Sequence, residues 1–201
     1  MANLLSQHLR SMAFNNGWAN HRLYKACLLL STDEFVAPRS SFFPTIKATL
    51  NHILTVDWFY LQALERELQG EEPALDSERF FEPEEPFSSC VELHREQHQA
   101  DHRLIAYCSA LLDDGLGRYV SIVRPQRTQR DTRLRLLAHL FEHQIHHRGQ
   151  VHAMLAETAV SPPQLDEFFC EGEAELRAQD FAELGWSEAL VWLAQQPKRP
   201  A

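Results

Sequence analysis

The sequence predicts an all-α protein, a four-helix bundle with a short extra helical C-terminal tail. Three observations predict it. Only 7 glycines occur in 201 residues, so long segments run without a breaker. Four of those segments carry apolar residues at helical spacing over several turns. The stretches between them are modest in length and hold the prolines, acids and remaining glycines. Long amphipathic helices on modest loops pack as a bundle.

Residues 3–30 read as one amphipathic helix, with Gly17 marking where it would bend. Residues 32–41 form a turn-rich connection around Pro38. Pro44 stands where it would open a second helix at a favoured first-turn position, running to about Leu68 ahead of Gly70. Residues 70–87 are acidic, carry Pro73, Pro83 and Pro86, and read as a loop. Ser89-Cys90-Val91-Glu92 is a capping-box pattern, so a third helix starts there and ends near Asp113, before Gly115 and Gly117. Tyr119 to Val123 alternates as a short strand would. A fourth helix is expected from Asp131 or Thr132 to about Glu157, stopped by Ser161-Pro162-Pro163. Two shorter helical patterns follow near 173–183 and 187–195. The expected organisation is a bundle domain over 1–160 and a helical extension over 161–201 packed on it.

Composition narrows the function classes. With 44% hydrophobic and 10% aromatic residues, the chain has the means to build a core. Its formal charge of −9 argues against a broad nucleic-acid backbone binder, because no net positive field displaces counterions. Arg118, Arg124, Arg127, Arg130, Arg133 and Arg135 still lie close in sequence, which demotes nucleic acid without excluding it. Cys27, Cys90, Cys108 and Cys170 form no C-x-x-C pair, so neither a zinc ribbon nor a dithiol redox motif is expected. The start lacks a basic region followed by an apolar run, and no apolar stretch reaches membrane-spanning length. The expectation is a cytoplasmic protein without a membrane partner.

Eleven histidines stand out. Five fall in the run His139-Leu-Phe-Glu142-His143-Gln-Ile-His146-His147-Arg148-Gly149-Gln150-Val-His152. His143 and His147 are one helical turn apart and share a face with Leu136, Leu140, Val151 and Met154, so they point into the bundle. His139 and His146 flank that face, and His152 projects from the other side. Two imidazoles at i and i+4 can grip one metal ion, and a catalytic site needs a third ligand and an open position. His52, on the largely apolar second helix, supplies a candidate third ligand, since a buried polar side chain needs a partner.

Three rival readings weigh less. His94, His98 and His102 repeat at i, i+4 and i+8, but the core stripe of that helix is Leu93, Ala100, Leu104, Tyr107 and Leu111, which leaves the trio on a solvated face. His139-Leu-Phe-Glu142-His143 fits the inverted zinc-peptidase pattern, yet 201 residues scarcely hold a peptidase scaffold. His143-Gln144-Ile145-His146-His147 fails the H-E-x-x-H pattern, because Gln144 is no base.

The fourth-helix run resembles the signature of the DinB-like (damage-inducible, YfiT-related) family. So do Asn16-Gly-Trp18-Ala-Asn20-His-Arg22-Leu23 in the first helix and Thr49-Leu50-Asn51-His52-Ile53-Leu54-Thr-Val-Asp57 in the second. The similarity runs through residues 10–157 in matching order. It implies a four-helix bundle with a divalent metal, zinc or nickel being usual, held by His52, His143 and His147. Family members often carry Asn where this chain has Glu142. Characterised relatives include metal-dependent transferases and isomerases that use low-molecular-weight thiols.

The expected function is therefore transfer of a low-molecular-weight thiol to a small electrophile at a three-histidine metal site. Two alternatives stay open: a hydrolase using metal-activated water, and a non-catalytic metal-binding stress-response protein. Asp57, His139, Glu142, His146 and Gln150 are candidates to orient the ligands. Arg148 is a candidate for an anionic thiol or carboxylate, although a surface arginine is the favoured reading. Gly149 reads as a helix-packing glycine, and Trp18, Trp58, Phe59 and Phe141 as core. The expected partner is a small molecule, with a homodimer compatible with exposed aromatic residues.

Overall fold

The computed structural model describes residues 3–192. Helix α1, Leu4–Cys27, runs unbroken through Gly17. The connection after it contains a short helix beyond the sequence expectation, α2 at Thr32–Val36, opened by a full capping box between Ser31 and Glu34. Helix α3 is Ile46–Leu68. Pro44 does not open it. Thr45 is the N-cap, its hydroxyl accepting from the Ala48 amide at 2.9 Å, and that bond sets the start of the helix.

The acidic loop folds one 3-10 turn at Ser77–Phe81. Helix α4, Cys90–Ser109, starts at the expected cap: Ser89 accepts from the Glu92 amide and donates to the Glu92 carboxylate at 2.7 Å. Strands β1, Tyr119–Arg124, and β2, Arg127–Thr132, pair antiparallel around Pro125-Gln126. The alternation of β1 is legible because Val120 and Ile122 face the core. β2 has no apolar alternation and stays hidden in the sequence. Helix α5 is Arg133–Leu155, capped by Thr132. Helices α6, Ala174–Leu184, and α7, Glu188–Trp192, follow. Gly185 closes α6 at φ 70°, a left-handed position that glycine adopts without strain. The rest of the predicted 187–195 pattern, from 193 on, lies outside the described residues.

The four long helices close a ring. α1 packs on α4 and α5, and α3 packs on the same two. The seam between α3 and α5 therefore lies across the bundle from the seam between α1 and α4. Leu23, Leu50, Leu54, Leu61, Leu93, Leu104 and Leu140 fill the interior, each contributing about 1.5–3 kcal/mol by burial. A second core sits on the outer side of α1, where Phe14, Trp18 and Ala19 meet Phe168, Phe181 and Val191. Arg22 fastens this layer: its Nε donates to Asp180 at 2.6 Å and its Nη1 to Glu167 at 2.8 Å.

Gly17 serves close packing. A Cβ there would meet Trp186 Cη2 at 3.1 Å and Asp101 Cβ at 3.5 Å. Gly149, the expected packing glycine, faces open space. Trp18, Phe59 and Phe141 are buried, and Trp58 is partly buried against the main core. Among the described residues no helix is long and apolar enough to cross a membrane, and the four cysteines are free. The arginine run around the hairpin is largely engaged: Arg133 and Arg118 pair with Glu67, and Arg135 pairs with Asp131.

Candidate metal centre

His52 lies early in α3, and His143 and His147 sit one turn apart on α5. Packing of α3 on α5 brings the three rings together. His52 Nε2 is 3.0 Å from His143 Nε2. The His52 and His147 ring centroids are 4.7 Å apart, and those of His143 and His147 4.4 Å. One ligand atom from each residue lies within 4.8 Å of the other two, so the cluster could hold a metal ion. Tetrahedral bonds of about 2.1 Å put donor atoms roughly 3.4 Å apart, close to this spacing.

The electrostatics suit that role. Burial, reinforced by His147, His52, His139 and His146, pushes the His143 pKa down to about 3. Burial and then His147 push His52 down to about 4. Burial also lowers His147, against the opposing hydrogen bond of Gln150. Neutral imidazoles present lone pairs, which a divalent cation requires. Gln150 selects a tautomer: its Oε1 is 2.8 Å from His147 Nδ1, so Nδ1–H donates and Nε2 stays free. Gln150 Nε2 is also 3.1 Å from His146 Nε2. His143 Nδ1 is buried and has no protein partner.

The three histidines line a cavity of about 460 Å³. Val56, Phe59 and Phe81 give it an apolar wall, Phe42 stands at the rim, and Arg124 from β1 is the one arginine or lysine lining it among the described residues. The Arg124 guanidinium lies 4.6 Å from the Phe59 ring centroid. Phe43 packs on His52 with ring centroids 4.3 Å apart and faces His147 at 5.6 Å. Sequence reasoning missed Phe43, Tyr60 and Arg124, because they arrive from a loop, an apolar helix and a hairpin.

The remaining candidates separate. His139 and His146 are exposed and line the cavity, His139 packing on Tyr60 at 5.2 Å. Glu142 is exposed and does not line it. In the 94–102 trio, His98 and His102 are exposed, while His94 is half-buried and stacks on Tyr24 at 5.4 Å. Another cluster of ligating groups, His21, Asp180 and Glu183, is already engaged by cations, since Lys25 Nζ is 2.7 Å from Glu183 and Arg22 pairs with Asp180.

Arg148 is not a surface arginine. It is 4% exposed and belongs to a polar network at the bundle centre. Its Nη1 donates to Asn16 Oδ1 at 2.5 Å, Gln144 Oε1 at 3.0 Å and Asn20 Oδ1 at 3.1 Å. Asn16 and Asn20 donate in turn to Asp101 Oδ1, at 3.0 and 2.9 Å. Gln97 bridges Asp101 to Asp57, and Gln144 also donates to Asp57. Asp57 bonds to these amides and to no imidazole. Burial raises Asp57 to about 6 and, with the Asp57 charge adding, Asp101 to about 7. Burial lowers Arg148 to about 10. The network had a readable signal: Asn16/Asn20, Gln97/Asp101 and Gln144/Arg148 are i, i+4 polar pairs on core-facing stripes.

The DinB family model matches residues 5–181, which spans the bundle and reaches into α6. No curated protein matches the chain.

Proposed function

Since the chain belongs to the DinB family, we propose that it is a metal-dependent transferase moving a low-molecular-weight thiol onto a small electrophile in the cavity at the α3–α5 seam. The observation that carries this reading is the convergence of His52, His143 and His147 on one another at the floor of that cavity. A divalent ion held there, zinc or nickel, would supply a Lewis acid that lowers the pKa of a bound thiol.

The chain's own groups fit around that chemistry. Three neutral ligands leave the full charge of a dication uncompensated, which favours an anionic sulfur. Gln150 fixes the His147 ring by holding the proton at Nδ1. Val56, Phe59 and Phe81 line the cavity with apolar surface, and Arg124 would hold a carboxylate of the thiol. Among the described residues no carboxylate lines the cavity. Water activation commonly draws on such a base, whereas a metal-bound thiol loses its proton without one. This supports transfer over hydrolysis.

The experiment is turnover of glutathione with a model aryl halide by zinc- and nickel-loaded protein, beside chelated protein and His147→Ala. Metal-dependent conjugation lost in the variant supports the reading. No metal-dependent turnover across a panel of small thiols would overturn it in favour of the hydrolase or the non-catalytic metal binder.

A further inference from the structure

A second cavity, of about 420 Å³, opens on the side of α5 roughly 180° from the histidines. It lies between α1, α5 and residues 164–166, and it owes nothing to the metal reading. Its size falls within the range of small-molecule sites. Three features make it more than a surface dent.

The first is Arg148, which lines it. This buried cation forms no ion pair among the described residues, and its three hydrogen bonds all run from Nη1 to neutral amide oxygens. Asp57 and Asp101 act on it through space and through those intervening amides, without a direct ion pair. Nε–H and the Nη2 protons are left for whatever fills the cavity. Buried guanidinium groups ordinarily find an anion, and a carboxylate matches their fork. The second is Asp166, which lines the same cavity and sets a negative charge at its exposed rim. A carboxylate there calls for a cationic donor on the ligand. The third is the wall, where Ala19, Ile145 and Leu165 are apolar.

We propose that this cavity binds a small zwitterion of the α-amino-acid class, its carboxylate on Arg148, its ammonium toward Asp166, and its side chain on Ile145 and Leu165. Inorganic anions lack the positive charge that Asp166 attracts, and simple amines lack the acceptor that Arg148 needs.

Calorimetric titration of the full chain with L-leucine, L-phenylalanine and L-glutamate tests it, with L-leucine methyl ester as the carboxylate-blocked control. Replacing Arg148 risks the bundle, so the blocking variant is Gly149→Leu. A Cβ at Gly149 meets nothing within 4 Å, so the new side chain enters open space beside the cavity. The expected result is saturable binding of at least one amino acid. The ester binds on the order of tenfold to a hundredfold more weakly than L-leucine, the loss of a charge-assisted pair. Gly149→Leu abolishes binding at an unchanged or higher melting temperature, and Asp166→Asn weakens it. Absence of saturable binding by all three amino acids, equal affinity for the ester, or undiminished binding in Gly149→Leu would overturn the proposal.

Discussion

His143 Nε2 faces His52 Nε2 at 3.0 Å across the α3–α5 seam, two ring nitrogens from helices 91 positions apart in sequence. Only one of the two can carry a proton in that contact, and a shared cation removes the conflict. The expected outcome is about one divalent ion per chain, released by His52→Ala or His147→Ala and retained by His98→Ala, which lies on the exposed side of α4. Elemental analysis of the dialysed proteins checks it. Metal retained by both cavity variants would sink the assignment.

The depressed ligand pKa values set a pH range for that binding. His143 and His52, pushed to about 3 and about 4, stay neutral well below the ordinary 6.5. Proton competition from these two ligands therefore starts late on acidification. Metal affinity measured by competition with a chelator of known pH dependence is expected to stay nearly level from pH 8 to 6 and to fall only in more acidic solution. A steep fall through pH 6.5 would show imidazoles with ordinary basicity.

Gln150 touches no cavity ligand except through His147 Nδ1. Gln150→Ala frees that ring to turn and to exchange tautomers. Loss of such a supporting group typically costs about 10–100-fold in metal affinity. Gln150→Glu keeps an acceptor and should restore most of the binding. Equal affinity in Gln150→Ala and the parent would remove Gln150 from the site.

The legibility of this protein follows from where each signal lives. The long helices were readable because burial writes a 3.6-residue period into α1, α3, α4 and α5. The histidine cluster was readable for the same reason: His143 and His147 share one stripe, and His52 sits on an apolar helix that must bury it. The hairpin was half-readable, since only β1 buries alternate residues. Arg148 was misread because its charge suggested solvent. Its partners Asn16, Asn20 and Gln144 come from two helices, and no single-helix period exposes such a meeting. Phe43 and Arg124 reach the cavity through loop and hairpin geometry that the sequence pattern does not encode.

Arg22 gives the C-terminal layer its own test. It joins α1 to Asp180, Glu167 and the carbonyls of Gln164 and Leu176. Arg22→Ala leaves Asp180 with Lys25 and the Trp18 indole but removes four hydrogen bonds at once. The expected cost is about 2 kcal/mol, felt locally as faster amide exchange in α6 while α3 and α5 keep their protection. Uniform loss of protection in all helices would show one cooperative unit instead.

Asp57 carries the most specific pH prediction. Its carboxyl is raised from 3.8 to about 6, chiefly by burial, with the Gln97 and Gln144 hydrogen bonds pulling the other way. The folded chain thus holds this proton more tightly than the unfolded chain. That contribution to stability is fully present below pH 3.8 and is lost as pH rises through about 6. Above that, the ionised group sits buried with Oδ1 unpartnered. Asp57→Asn keeps the shape, and its amide oxygen still accepts from Gln97 and Gln144. It should therefore be more stable than the parent at pH 8, by on the order of 2 kcal/mol, with the gap closing near pH 4. Urea unfolding at both pH values reads the difference directly. His52 and His143 slope the other way between 6.5 and about 4, but they are common to both proteins and cancel in the comparison. A variant less stable than the parent at pH 8 would mean that the Asp57 charge is needed to hold Arg148 in place, and that the network is an ion-pair system bridged by amides.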